Sequence, residues 1–389
     1  MTEPFGMLNP SPRLLLGPGP SQISPRVLRA CATPLLGYLD PEYVELMDET
    51  QELMREVFET DNEWTVCVPG TGMAGMESAF INVLEPGDPV LVCVSGIFGE
   101  RMVEVANRCG ADVTRVDAEW GTAIQADQVE EALQTVDPKM VAIVHAETST
   151  GVLQPLDEIS TLAHEAGALF LVDCVTSLGG MPVKVDERNI DIAYSCTQKC
   201  IGSPPSFSPI TFGPAAVSAY KERETPVQSF YLDIGQIWRY WGPERGYHQT
   251  GMINMTYALR EALLEIREEG LAARYARHVE NQQALIAGFE AMGLPLAVED
   301  PEIRLPSLTT VMIPEGVDDQ AVRGKLLEDY GIEIGGGLGK FAGHAWRVGL
   351  MGYASQQSNV MLLLSALGDV LKNERVDEGL AAAASVYQS

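Results

Sequence analysis

The chain has 389 residues, 46% of them hydrophobic, and a formal net charge of −28 from 54 acidic against 26 basic side chains. The apolar fraction excludes a disordered chain, and the length exceeds one simple core, so a large domain with a smaller companion is expected. The acid excess is spread along the chain rather than gathered in a tail, and such a surface excludes nucleic acid and anionic membranes as partners.

Leu14-Leu15-Leu16-Gly17-Pro18-Gly19-Pro20 reads as rigid and extended, because each proline fixes its own φ and biases the residue before it. A helix is expected after Ser24-Pro25, with Ser24 as its cap, and another from about Pro41 to Phe58. Alternation follows. Strands read at 65–68, 90–94, 140–144 and 168–172, with helices to about 84, from 98 to 109 and from 156 to 166. Continuous apolar strands alternating with helices predict an α/β fold, with a mostly parallel sheet covered on both faces. After Thr250 the pattern changes to long helices at 255–268 and 275–292, strands at 309–313 and 345–349, and helices near 320–330 and 356–371. The organisation is therefore an N-terminal arm (1–16), a large domain (17–255) and a small C-terminal α+β domain (256–389).

No apolar stretch reaches membrane-spanning length, and the first residues lack the pattern of a secretion signal, so a cytoplasmic protein is expected. The seven cysteines form no C-x-x-C pair and read as reduced thiols, neither disulfides nor metal ligands. A surface this acidic self-repels in dilute buffer and is screened in concentrated salt, which suggests a salt-loving source.

Two apolar runs end in chemistry. Ala168-Leu169-Phe170-Leu171-Val172 delivers Asp173, and Asp191-Ile192-Ala193-Tyr194 leads to Lys199. Strands placed this way put an acid and an amine at the ligand-binding edge of an open α/β sheet. A lysine that forms a Schiff base, with a carboxylate that keeps a pyridine nitrogen protonated, is what pyridoxal 5'-phosphate requires. The competing reading of each is a solvated lysine and an aspartate capping a helix.

Gly70-Thr71-Gly72-Met73 lies between a strand and a helix, where backbone N–H groups can hold a phosphate. Gly70-x-Gly72-x-x-Gly75 also satisfies the dinucleotide spacing, but the next strand ends in Val94-Ser95-Gly96 without the acid that pattern needs. The run Gly335-Gly336-Gly337-Leu338-Gly339-Lys340-Phe341 lacks phosphate-loop spacing and reads as a loop near the site. Phe98 follows a strand end and could stack on a ring or simply fill the core. Arg347 lies inside an apolar strand, where it needs an anion: a substrate carboxylate or a structural salt bridge.

The chain resembles, over almost its full length, the class V aminotransferases of the alanine–glyoxylate and serine–pyruvate type. The resemblance rests on Leu15-Leu16-Gly17-Pro18-Gly19-Pro20, Gly37-Tyr38-Leu39-Asp40-Pro41-Glu42, Glu147-Thr148-Ser149-Thr150-Gly151-Val152, Val172-Asp173-Cys174-Val175-Thr176-Ser177-Leu178-Gly179-Gly180 and Thr197-Gln198-Lys199-Cys200. It implies a fold-type I architecture with a seven-stranded, mostly parallel sheet and a homodimer with shared active sites. It also implies Lys199 as Schiff-base lysine and proton shuttle, Asp173 on the ring nitrogen, Thr148 at the ring hydroxyl, and Phe98 and Val175 on the two ring faces. Phosphate contacts would come from Thr71, Gly72, Met73 and Gln198, with Tyr247 and Thr250 reaching across from a second subunit. Arg347, Gly19 and Tyr38 would bind substrate. Phe98 replaces a frequent tryptophan, Met73 a frequent histidine, and Ser206 a common glycine.

The implied activity is ping-pong transamination from L-alanine or L-serine to glyoxylate or pyruvate. The run Ala118-Glu119-Trp120-Gly121-Thr122 also looks like the ureidoglycine–glyoxylate branch, which favours amides where Tyr38 and Tyr247 stand. Lyases of the same fold are the other alternative.

Overall fold

The computed structural model describes Gly6 and residues 8–388; residues 1–5 and 7, which begin the expected arm and carried the reading against a secretion signal, lie outside the described residues. The arm contributes β1 (Leu14–Leu15) and leads into α1 (Pro25–Cys31) and α2 (Pro41–Phe58). Ser24 caps α1 by accepting from the Val27 amide at 3.2 Å, and Asp40 caps α2 from the Glu42 amide at 2.9 Å. Both helices open with proline, whose missing N–H costs nothing in the first turn. Then come β2 (Trp64–Pro69), α3 (Gly72–Ile81), β3 (Pro89–Val94), α4 (Ile97–Arg108), β4 (Asp112–Asp117) and α5 (Ala126–Leu133). They are followed by β5 (Met140–Val144), the short pair β6 (Ala146–Glu147) and β7 (Val152–Leu153), α6 (Asp157–Glu165), β8 (Leu169–Asp173), β9 (Ile192–Tyr194) and β10 (Phe207–Phe212).

One seven-stranded sheet takes the order β2-β10-β9-β8-β5-β3-β4. Strand β10 runs antiparallel to both of its neighbours, and the other pairings are parallel. All five residues of β5 are buried, as expected for a strand covered on both faces. Each large side chain buried there contributes about 1.5–3 kcal/mol. The sheet therefore points the C-terminal ends of β2, β3, β5, β8 and β9 to one edge.

The rest of the chain comprises α7 (Pro214–Lys221), α8 (Ile234–Trp241), α9 (Ile253–Glu269), α10 (Leu271–Ala291), β11 (Leu308–Met312), α11 (Asp319–Tyr330), β12 (Ile332–Glu333), β13 (Gly335–Gly336), β14 (Ala345–Gly349), α12 (Gln357–Leu371) and α13 (Val376–Val386). Strands β11, β14 and β13 form a second, antiparallel sheet. The expected boundary near residue 255 falls inside α9, whose Leu259, Leu263 and Ile266 pack into the first core; Leu285 and Phe289 of α10 belong to the second. Leu16 of the arm sits in that second core, and β1 pairs in parallel with β12. The arm thus staples the small unit to the mouth of the large one.

Sequence periodicity misses β4, β10, α5, α7, α8 and α13. Strand β4 alternates charges at a sheet edge, a common guard against edge pairing. Strand β10 carries Pro209 in mid-strand, which argues against a central strand, and Pro204-Pro205 stands just before it.

Candidate active site

The C-terminal edge of the large sheet collects the expected residues. Lys199 lies five residues beyond the end of β9, is 8% exposed, and donates from Nζ to the Pro18 carbonyl. The arm passes so close that a β-carbon on Gly19 would fall 2.8 Å from Lys199 Cε; Gly19 also has a φ of +115°. Only glycine meets both conditions. Ser21 fixes this crossing by donating its amide to the Gln198 carbonyl and its hydroxyl to the Lys199 carbonyl. Burial pulls the Lys199 ammonium below its usual range, which favours the neutral amine.

Asp173 ends β8 and is 2% exposed. The Val175 amide donates to Oδ1 at 2.8 Å and the Tyr194 hydroxyl to Oδ2 at 2.7 Å. Burial pushes the carboxyl up to about 6 in spite of these donors. A carboxylate so placed calls for a nearby cation.

Helix α3 begins with no side-chain cap, so its first amides point into the opening after β2. A β-carbon on Gly72 would meet Val175 Cγ2 at 2.9 Å, so glycine keeps that opening clear. Gln198 reaches the same edge with a buried Oε1 that has no partner among the described residues, and its amide can turn either end to a ligand. Ser206 ties the two loops together: its carbonyl accepts from the Gly70 amide at 2.8 Å, and its amide donates to the Thr197 hydroxyl at 3.3 Å. Met73 shows its sulfur to Arg101 rather than to the opening, at 3.6 Å.

Phe98 is held by an unforeseen residue. The Glu147 carboxylate, fully buried, accepts from the Phe98 amide at 3.0 Å and from both the amide and hydroxyl of Ser149. It caps α4 from another strand, and the close packing at Gly96 leaves no room for a side chain there. Arg101 covers the Phe98 ring at 5.1 Å. Thr148 shares a hydrogen bond with Thr176 between hydroxyls 2.7 Å apart.

Arg347, on β14, is 7% exposed and donates to the carbonyls of Gly336 at 2.8 Å and Thr148 at 3.2 Å. Among the described residues no carboxylate lies within ion-pair distance, and burial pulls the guanidinium down to about 10 in spite of the more distant Glu147 charge. Arg347 therefore forms no close salt bridge within the described residues. The glycine run, expected to be a loop, instead opens with strand β13 paired to β14: the Gly336 carbonyl holds Arg347, Gly335 packs on Pro18, and Phe341 meets Trp120 edge-on at 5.4 Å.

Tyr38, Tyr247 and Thr250 stand apart. The two tyrosines are 37% and 57% exposed with rings 5.2 Å apart, and among the described residues neither they nor Thr250 bond to the Lys199 group. The set around Lys199 nonetheless suits a phosphorylated pyridine aldehyde. It offers uncapped helix amides for the phosphate, an acid for the ring nitrogen and a buried amine for the aldehyde.

Comparison with known proteins agrees. The class-V aminotransferase family model matches residues 14–360. The (S)-ureidoglycine–glyoxylate transaminase of Bacillus subtilis is 40% identical over 97% of this chain and 96% of its own length; its crystal structure superposes with a TM-score of 0.95, covering 99% of this chain and all of the other. The alanine–glyoxylate aminotransferase of Callithrix jacchus is 41% identical over 93% of this chain and 88% of its own. The crystal structure of an alanine–glyoxylate aminotransferase from Nostoc sp. gives a TM-score of 0.93 at 48% identity, covering 95% and 97% of the two chains. A match from the arm to α12, joined to this arrangement of lysine and acid, places the chain in the class V aminotransferases, transaminases that work with pyridoxal phosphate.

Proposed function

We propose that the protein moves the amino group of L-alanine or L-serine to glyoxylate or pyruvate, with Lys199 and Asp173 as its catalytic residues. The observation that supports this most is Arg347: a buried guanidinium with no carboxylate at ion-pair distance among the described residues, near enough to Lys199 to help depress its ammonium. Its fork suits the α-carboxylate shared by amino and oxo acids. Alanine-type donors are favoured over ureidoglycine by tyrosines at positions 38 and 247, where the resemblance calls for amides in the ureidoglycine branch. The Bacillus subtilis relative keeps ureidoglycine as the second reading.

The bound cofactor would supply an electron sink for the donor's Cα carbanion. Lys199 would carry the cofactor's aldehyde carbon on Nζ and, once displaced by the donor amine, take the proton from the donor's Cα. Its burial favours the neutral amine needed for both tasks. Asp173 would hold the ring nitrogen protonated, Thr148 would meet the ring hydroxyl, and Phe98 and Val175 would flank the ring. Thr71, Gly72, Met73 and Gln198 would hold the phosphate, Met73 through its backbone. Gly19 would bound the carboxylate pocket.

Tyr38, Tyr247 and Thr250 would complete the site of a second copy, which makes the working form a homodimer. The exposed aromatic patch Tyr38, Phe230, Tyr231 and Tyr247 supports this. Domain limits of 17–255 and 256–389 with an arm of 1–16 fit this use of the chain. No described helix is long and apolar enough to cross a membrane. The free, mostly buried cysteines fit a reducing cytoplasm, and the acidic surface disfavours nucleic acid and anionic membranes.

The test is the absorption spectrum of the purified holoenzyme with L-alanine, L-serine and ureidoglycine added singly. Bleaching of the yellow band by alanine or serine, and its absence in Lys199→Ala, is expected. Bleaching by ureidoglycine alone would select the second reading. Release of sulfide or anthranilate from other donors, without bleaching, would replace transfer by lyase chemistry.

A further inference from the structure

Strands β8 and β9 run parallel with Asp173 and Tyr194 as register partners, so the two side chains leave the same face of the sheet. The Tyr194 hydroxyl donates to Asp173 Oδ2 at 2.7 Å while the Val175 amide occupies Oδ1. Tyr194 is 0% exposed, and among the described residues its hydroxyl has no other partner. A buried phenol needs an acceptor, where phenylalanine would fill the same space at no polar cost. The residue also passes beneath α3: a β-carbon on Gly75 would come within 3.2 Å of Tyr194 Cβ. Tyr194 therefore connects the acid to the helix whose uncapped end faces the expected phosphate position.

We propose that Tyr194 is a positioning residue for Asp173, its hydroxyl fixing the carboxylate in one orientation and in its ionised form so that the remaining lone pairs meet the cofactor's ring nitrogen. This rests on the reading of Asp173 given above. An ionised carboxylate offers about four acceptor sites, so two protein donors leave room for the ring. Burial opposes the charge, and each donated hydrogen bond offsets part of that opposition. Losing one donor to an ionised acceptor changes the equilibrium it biases by about ten- to a hundredfold.

The experiment compares wild type, Tyr194→Phe, Asp173→Asn and the double variant as holoenzymes. It measures cofactor affinity by titration and the pH midpoint of the bound cofactor's absorption. Tyr194→Phe should weaken cofactor binding about tenfold and raise the midpoint by roughly one unit. In the Asp173→Asn background the same substitution should add nothing. Unchanged affinity and midpoint in Tyr194→Phe, or an equal loss with and without Asp173, would reduce the phenol to a space filler. If Asp173→Asn alone moves neither quantity, the assignment of Asp173 itself fails. Should Tyr194→Phe fold poorly, 3-fluorotyrosine at position 194, a more acidic donor, should lower the midpoint, and no movement would overturn the proposal.

Discussion

Arg347 carries a sharper consequence than a lost contact. Its guanidinium is buried and bonded to two carbonyls, with no acid at ion-pair distance among the described residues and Glu147 acting only from farther off, so the charge is only partly compensated. Removing one partner of a buried charge pair costs about 2–5 kcal/mol, which corresponds to a roughly 30- to 4,000-fold rise in KM for the oxo acid. Stability should move the other way. Replacing a whole buried ion pair by apolar side chains is often neutral or stabilising by about 1–4 kcal/mol, and an arginine with no close acid has less Coulombic attraction to lose. Arg347→Met is therefore expected to bind oxo acid poorly yet unfold in urea no earlier than wild type. A clear fall in stability with an unchanged KM would show that Arg347 is structural. Arg347→Lys should not rescue binding, because a point charge lacks the planar fork.

At the scale of elements, α10 acts as a clamp on the site. Arg274 donates to the carbonyls of Gly179 at 2.8 Å and Cys200 at 2.7 Å, and Arg277 donates to that of Gly352 at 3.0 Å. His278 donates from Nδ1 to the Arg274 carbonyl and accepts the Gly352 amide on Nε2, so it serves as the neutral ring. Cys200 adjoins Lys199 and Gly352 follows β14, so one helix holds the lysine loop against the arginine strand. Burial pulls His278 down to about 3. A base depressed on folding contributes stability that is present above its unfolded value, near 6.5, and is lost as pH falls toward 3. That loss amounts to at most about 5 kcal/mol, and the buried His145, also near 3, adds in the same direction. His278→Gln should cost about 1–3 kcal/mol at pH 8 and flatten the acid limb of stability measured by urea unfolding. A limb as steep as that of wild type would refute the assignment. These supporting residues also show what a sequence conceals. Lys199 and Asp173 were legible because each follows an apolar strand. Strands β5 and β14 and helix α2 were legible because their apolar runs are unbroken or periodic. Tyr194, Glu147 and His278 were not, since their partners lie 21, 49 and 74 residues away and only the folded topology brings them together.

For the molecule as a whole, two electrostatic effects oppose each other as salt is added. Ion pairs such as Arg26–Glu261, Arg260–Glu49 and Arg267–Glu56 fasten α1 and α2 to α9, and screening weakens them. Exposed or half-exposed pairs of this kind contribute about 0–1 kcal/mol each. Against them stands the mutual repulsion of a net charge of −28, which every added ion relieves. The screening length falls from about 10 Å at 0.1 M to about 3 Å at 1 M, so repulsion between carboxylates on separate elements fades while contacts under 3 Å are only partly reduced. Repulsion is long-ranged and summed over the whole surface; the pairs are short-ranged and at least partly exposed to solvent. The expected outcome is a melting temperature that climbs with KCl, most steeply below about 0.5 M. The same screening should lower the KM for glyoxylate or pyruvate, since a negative surface repels an anionic substrate before it reaches Arg347. A melting temperature that is flat or falls between 0.1 and 1 M KCl would mean that the ion pairs outweigh the repulsion, and the case for a high-salt setting would fall with it.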